Sequence, residues 1–180
     1  MAQIFIAVDY ANSHGGIIHR DIKPDNILLE NPNSIEKLKL ADFGLSTTKS
    51  SCGMPKTIKG GAGTPIYFAP CQLQGQEYGT RVDTWACGVV MWNLMFNGSH
   101  PYYRKGDNIE TLLQKTLEQP INFAELKCSE MCKDLFSKIL ENDPTKRYLA
   151  GQASHHPFIT GRPITFYWTR QIYTGYPVDC

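Results

Sequence analysis

Between residues 81 and 96 the chain carries Val82, Trp85, Ala86, Val89, Val90, Trp92 and Phe96, which together cover more than one face of a helix. A helix that is apolar almost all round cannot rest on a surface, so the rest of the chain must wrap it at the centre of a core. Other apolar patterns supply the wrapping. Ile4, Phe5, Val8 and Ala11 predict a helix over residues 2–13, stopped by Gly15-Gly16. Ile109, Leu112, Leu113, Thr116 and Leu117 mark an amphipathic helix, and Cys132, Leu135, Phe136, Ile139 and Leu140 mark another, closed by Pro144. Strand signals are short: Ile27-Leu28-Leu29 and Leu38-Lys39-Leu40-Ala41, joined through Asn31-Pro32-Asn33-Ser34. The expected fold is mainly α with short β-hairpins. A length of 180 residues with 42% hydrophobic content suits one domain better than two.

A formal net charge of +1 gives no electrostatic reason to invoke nucleic acid or an anionic membrane. Nothing approaches the run of about 18 apolar residues that a transmembrane helix needs. The apolar start Ile4-Phe5-Ile6-Ala7-Val8 lacks a basic flank and is too short for a signal peptide. Cys52, Cys71, Cys87, Cys128, Cys132 and Cys180 show no CxxC spacing, which points to reduced thiols in an intracellular, cytoplasmic protein. Cys128 and Cys132 are one helical turn apart, with His155-His156 downstream, so a zinc site has to be weighed. Cys132 lies on the apolar stripe and no second CxxC or HxxxH completes a ligand set, which argues against zinc.

His19-Arg20-Asp21-Ile22-Lys23-Pro24-Asp25-Asn26 has neither helical nor strand period and gathers a carboxylate, cations and an amide into one loop. Asp21 is able to accept a proton from a hydroxyl, Lys23 places a cation beside it, and Asn26 offers an oxygen to a hard ion such as Mg²⁺. Asp42-Phe43-Gly44 follows the second strand, a further hard-ion carboxylate with a glycine that lets the backbone turn. A hairpin between them would set Asn26 just before one strand and Asp42 just after the other, within reach of one ion. Any one of Asp21, Asn26 and Asp42 alone reads equally well as an ordinary loop cap. Residues 45–63 are polar and aperiodic and are expected to form a loop.

These segments resemble the catalytic loop and metal-binding signature of eukaryotic protein kinases. Gly63-Thr64-Pro65-Ile66-Tyr67-Phe68-Ala69-Pro70 and Asp143-Pro144-Thr145-Lys146-Arg147 resemble two further motifs of that family, in the right order. The likeness spans residues 2–160, and residues 161–180 read as an irregular, aromatic tail. Lys23 and Thr64 fit the serine/threonine branch, while residues 41–46 and 129–159 look most like the calcium/calmodulin-dependent group.

The resemblance implies phosphoryl transfer from ATP, with Mg²⁺, to a serine or threonine of a protein substrate. Asp21, Lys23 and Thr64 would be catalytic, Asn26 and Asp42 would hold Mg²⁺ and nucleotide, and Leu28 would lie beneath the adenine. His19 and Phe43 would stack within an internal apolar column, with Gly44 turning the chain behind them. Arg20 would receive a phosphate from the loop after Gly44, with Thr57 the nearest candidate and Thr47, Thr48, Ser50 and Ser51 behind it. Asp83 would hold the catalytic loop by its backbone; the plain alternative is a carboxylate favoured by its helix dipole.

Two departures limit the likeness. Cys71 stands where the family has a glutamate that pairs with a buried arginine, matched here by Arg147, and such a loss costs roughly 3 to 5 kcal/mol unless compensated. Only residues 1–18 precede His19, without a glycine-rich loop, a strand lysine or a helix glutamate, and Gly60-Gly61-Ala62-Gly63 comes after Asp42. The expectation is therefore a C-terminal lobe with the N-terminal lobe absent, inactive alone, whose first partner is the missing lobe. Two functions stay open: a fragment of an active serine/threonine kinase, or a non-catalytic, pseudokinase-like interaction module.

Overall fold

The computed structural model describes residues 1–31, 33–48 and 62–161. At its centre lies α3 (Arg81–Met95), in which every residue from Val82 to Trp92 is buried. Around it stand α1 (Ala2–His14), α2 (Pro70–Leu73), α4 (Ile109–Glu118), α5 (Glu130–Ile139), α6 (Ala150–Ser154) and α7 (Pro157–Thr160). α3 packs directly on α1, α5 and α6. Close approach to α5 depends on Gly88, where an added Cβ would sit 2.8 Å from Leu140 Cδ2. Helix starts are set by side chains: Asn108 accepts from Thr111 N at 2.8 Å, and Ser129 from Cys132 N at 3.3 Å.

α5 buries Cys132, Leu135, Phe136 and Ile139, the stripe that its period predicts. α4 is a correction to the pattern reading, since it buries Leu112 and Thr116 while Ile109 and Leu117 are exposed. The physical reason is that α4 packs on α2 and the short 3-10 turn Pro65–Tyr67, with Asn142 donating to Thr116 O, and these lie along the Leu112–Thr116 side.

β2 (Ile27–Asn31) and β3 (Ser34–Leu40) form the antiparallel hairpin, with Ile27 opposite Leu40 and Leu28 opposite Lys39. Both strands run longer than their apolar cores suggested. A second sheet was not legible: β1 (Ile17–Ile18) pairs antiparallel with β4 (Thr47–Thr48), inside the stretch read as loop. Two-residue strands carry no usable period. Thr57, Ser50 and Ser51 lie outside the described residues, as do residues 162–180, so the reading of 161–180 as a tail goes no further than Gly161. No helix among the described residues is long and apolar enough to cross a membrane.

Candidate active site

The loop between β1 and β2 is fixed from beneath by one buried carboxylate. Asp83, in the first turn of α3, accepts from His19 N at 2.9 Å, from Arg20 N at 3.0 Å and from the Asn12 amide at 3.1 Å. Burial pushes the Asp83 carboxyl up, against the three hydrogen bonds that favour its charged form. With both backbone amides committed downward, Arg20 takes a positive φ of 70° and the chain reverses there. The loop's side chains are thereby turned toward the hairpin edge.

Asp21 is the meeting point. Its Oδ2 lies 2.8 Å from Lys23 Nζ and accepts from the Asn26 amide at 3.1 Å, and its Oδ1 accepts from Thr64 Oγ1 at 2.8 Å. Lys23 Nζ also donates to Thr64 Oγ1 at 3.0 Å, which closes a three-membered ring of side chains. Desolvation alone would raise the Asp21 carboxyl. The hydrogen bonds from Lys23, Thr64 and Asn26 and the Lys23 charge outweigh it and hold the group below the usual carboxylate range. Lys23 is raised, first by its bond to Asp21 and further by the charges of Asp25 and Asp42.

Thr64 reaches Asp21 because of Gly63. At its φ of 125° an added Cβ would collide with the Arg20 carbonyl, so only glycine lets the two segments touch. Asn26 and Asp42 are drawn together at the open end of the hairpin, where Ala41 N donates to Asn26 O at 2.9 Å. The Asn26 amide nitrogen is spent on the Asp21 carbonyl at 2.7 Å and on its carboxylate at 3.1 Å. Asp42 holds a positive φ of 60°, and its Oδ1 accepts from Gly44 N at 3.2 Å. An oxygen-only donor pair of this kind suits a hard divalent ion and not a soft one.

His19 and Phe43 meet edge to face with centroids 4.7 Å apart, and His19 Nε2 lies 3.0 Å from Ala41 O. Arg20 donates through Nε to Leu45 O at 2.6 Å, which holds the segment after Gly44 beside β1. Leu28 stands apart from the cluster, 51% exposed on β2. A cleft of about 430 Å³ against α4, lined by Trp92, Tyr102, Lys115 and Ile121, contains none of these residues.

Arg147 belongs to a second, deeper cluster. It is 1% exposed, with the guanidinium 4.9 Å above the Trp85 ring, and it donates to Glu141 O at 2.7 Å, Asn142 O at 3.1 Å and Arg81 O at 3.3 Å. Three carbonyls and an aromatic face thus take over much of what a carboxylate at position 71 would supply. Desolvation still lowers Arg147 to about 10, with the neighbouring Cys71 thiol and Glu141 opposing the shift.

His100 was missed by sequence reasoning. Its Nδ1 accepts from Tyr102 N at 3.0 Å and Tyr103 N at 2.7 Å, so its Nε2 carries the proton and donates to Ile66 O at 2.6 Å. Burial holds it neutral, lowered to about 4. It buttresses residues 64–68 from behind, and a lone histidine before a proline gave no signal of that.

The family described as protein kinase domain matches residues 1–159. Calcium/calmodulin-dependent protein kinase type IV of Mus musculus is 38% identical over 168 residues, covering 91% of this chain and 34% of that protein. Calcium/calmodulin-dependent protein kinase type 1B of Rattus norvegicus is 36% identical over 163 residues, covering 89% and 46%. Calcium/calmodulin-dependent protein kinase type 1 of Macrobrachium nipponense is 36% identical over 162 residues, covering 88% and 45%. The chain spans less than half the length of each of these relatives.

Proposed function

The chain belongs to the protein kinase family, and from that premise we propose that it carries the substrate-side half of a serine/threonine kinase active site. The observation that bears the reading is the convergence of Lys23, Thr64 and Asn26 on the Asp21 carboxylate. A carboxylate kept ionised in this way is suited to orient a substrate hydroxyl and take its proton as the oxygen attacks phosphorus. Lys23, freed from Asp21 by an arriving hydroxyl, would steady the transferring phosphoryl oxygens. Thr64 would align Lys23 and Asp21 with each other. Asn26 through its amide oxygen and Asp42 through its carboxylate would hold Mg²⁺, which neutralises phosphate charge when bound.

Leu28 and Phe43, both exposed, would form the floor under the adenine and the top of the apolar column. On this reading the described residues are a C-terminal lobe. The complete enzyme would add the N-terminal lobe that clamps ATP, and the chain alone would transfer phosphate poorly, because positioning supplies most of the rate. The substrate would be a protein, as for kinases of the calcium/calmodulin-dependent group.

The test is a radiometric assay with Mg·ATP and serine- or threonine-containing peptides, run on this chain and on its in-frame upstream extension. Transfer by the extension alone, lost in Asp21→Asn, is the expected result. Comparable transfer by the chain alone would overturn its incompleteness. Transfer by neither would overturn catalysis and leave the pseudokinase-like interaction module, which the Cys71 substitution favours.

A further inference from the structure

Thr64 occupies the N-cap of the 3-10 turn Pro65–Tyr67, a place where a threonine hydroxyl ordinarily accepts from a backbone N–H of its own turn. Here it makes no such bond, because Oγ1 donates to the Asp21 carboxylate and accepts from Lys23. The turn has to be held by something else. Two of its carbonyls stay within it: Thr64 O accepts from Tyr67 N at 3.0 Å and Pro65 O from Phe68 N at 3.0 Å. The next, Ile66 O, accepts from His100 Nε2 at 2.6 Å, across 34 residues of sequence.

The ring that makes this bond is itself fixed. Its Nδ1 accepts from Tyr102 N at 3.0 Å and Tyr103 N at 2.7 Å, and the His100 carbonyl accepts from Arg104 Nη1 at 2.7 Å. Those bonds set the tautomer and aim the Nε2 proton at Ile66. Thr64 is thus pinned on both sides, by Gly63 against the Arg20 carbonyl before it and by His100 after it.

We propose that His100 is a positioning residue of the Asp21 site, standing in for the absent N-cap bond of the Pro65–Tyr67 turn and so keeping the Thr64 hydroxyl on Asp21 and Lys23. The proposal rests on the reading of Asp21 as the group that receives the substrate proton, and adds a residue that touches neither substrate nor phosphate. Without the bond to Ile66 O, the Thr64 hydroxyl has two competing uses, and the local one, capping its own turn, is the nearer. A hydroxyl spent on the turn leaves the Lys23–Asp21 pair without its third member. The plainer role for His100 is to hold only its own loop, through the two amides on Nδ1. The two ring nitrogens let these roles be separated.

The experiment compares His100→Gln with His100→Asn. A glutamine amide nitrogen reaches the place of Nε2 and still donates to Ile66 O, whereas the shorter asparagine reaches only the place of Nδ1 and still accepts from Tyr102 N and Tyr103 N. In the chain without nucleotide, the Thr64 methyl resonance, read by NMR on methyl-labelled threonine below each variant's melting temperature, should keep its position in His100→Gln. In His100→Asn it should shift in the direction it takes in Asp21→Ala, where the hydroxyl has lost its carboxylate. In the upstream-extended protein, kcat should fall about tenfold in His100→Asn with KM for ATP within about twofold, and His100→Gln should keep kcat within about twofold of the unsubstituted protein. A Thr64 resonance unmoved in His100→Asn, or moved equally by both substitutions, overturns the proposal. So does a kcat that falls equally in the two variants. An extended protein that transfers no phosphate with His100 intact would overturn the reading of the Asp21 site instead, and the Thr64 resonance would still decide for or against His100.

Discussion

The surroundings of α3 and the edge formed by the β2–β3 hairpin are finished in opposite ways by one chain. Around α3 every side chain from Val82 to Trp92 is covered, and the buried guanidinium of Arg147 finds three carbonyls and a ring. At the hairpin edge the backbone is as tightly bonded, yet Leu28, Leu29, Phe43 and Leu45 are all more than a third exposed. Backbone hydrogen bonds place the polar groups there without burying apolar surface. The contrast teaches that, among the described residues, the edge is ordered by what lies beneath it while its own apolar side chains stay exposed.

The sharpest way to break the comparison is Arg147→Ala. It strands three carbonyls and opens a void under Trp85, and stability should fall by about 3 to 5 kcal/mol in urea unfolding. A loss under about 1 kcal/mol would show that the base is no more tightly built than the edge.

His100 comes next, because it holds Ile66 O and so the segment that carries Thr64 to Asp21. Its pKa is lowered in the fold, so its contribution is complete above the unfolded value near 6.5 and is lost as pH falls toward about 4. Melting temperature should drop over that window, by an amount corresponding to about 2 kcal/mol, and His100→Gln should flatten the drop. An unaltered pH profile in the variant would remove His100 from this role.

Cys71→Glu should move in the other direction. A carboxylate beside Arg147 meets a charge that desolvation still disfavours, and a gain of about 1 kcal/mol is expected, a rise of about 2 to 4 °C. A lowered melting temperature would mean that the carbonyls and Trp85 already satisfy the guanidinium. The smallest effect is expected at the edge, where Leu28→Lys should change stability by under about 0.5 kcal/mol, against ~2 kcal/mol for Val89→Ala in α3. Equal losses at the two positions would erase the distinction.

The longer helices were legible because burial repeats with the helical period, as with Ile4, Phe5 and Val8 in α1 and Cys132, Leu135, Phe136 and Ile139 in α5, whereas α2, α6 and α7, of four or five residues each, are too short to show a period. The loop of residues 19–26 was legible for another reason, since its polar groups are neighbours in sequence. Ile109 and Leu117 misled because a periodic stripe states what a helix could bury and not how wide its neighbours are. Thr47–Thr48 and His100 were invisible because their partners, Ile17–Ile18 and Ile66, are distant in sequence.

Sequence alone determined the central helix, the hairpin and the set of oxygen and nitrogen groups available for chemistry, since these follow from local period and composition. Only the tertiary structure decided that Thr64 closes the ring with Asp21 and Lys23, that Asp83 grips the loop from below, and that Arg147 is held by carbonyls where a carboxylate is lacking. Each of these is a contact between segments far apart along the chain, and folding brings them within hydrogen-bond distance through packing that no single stretch encodes.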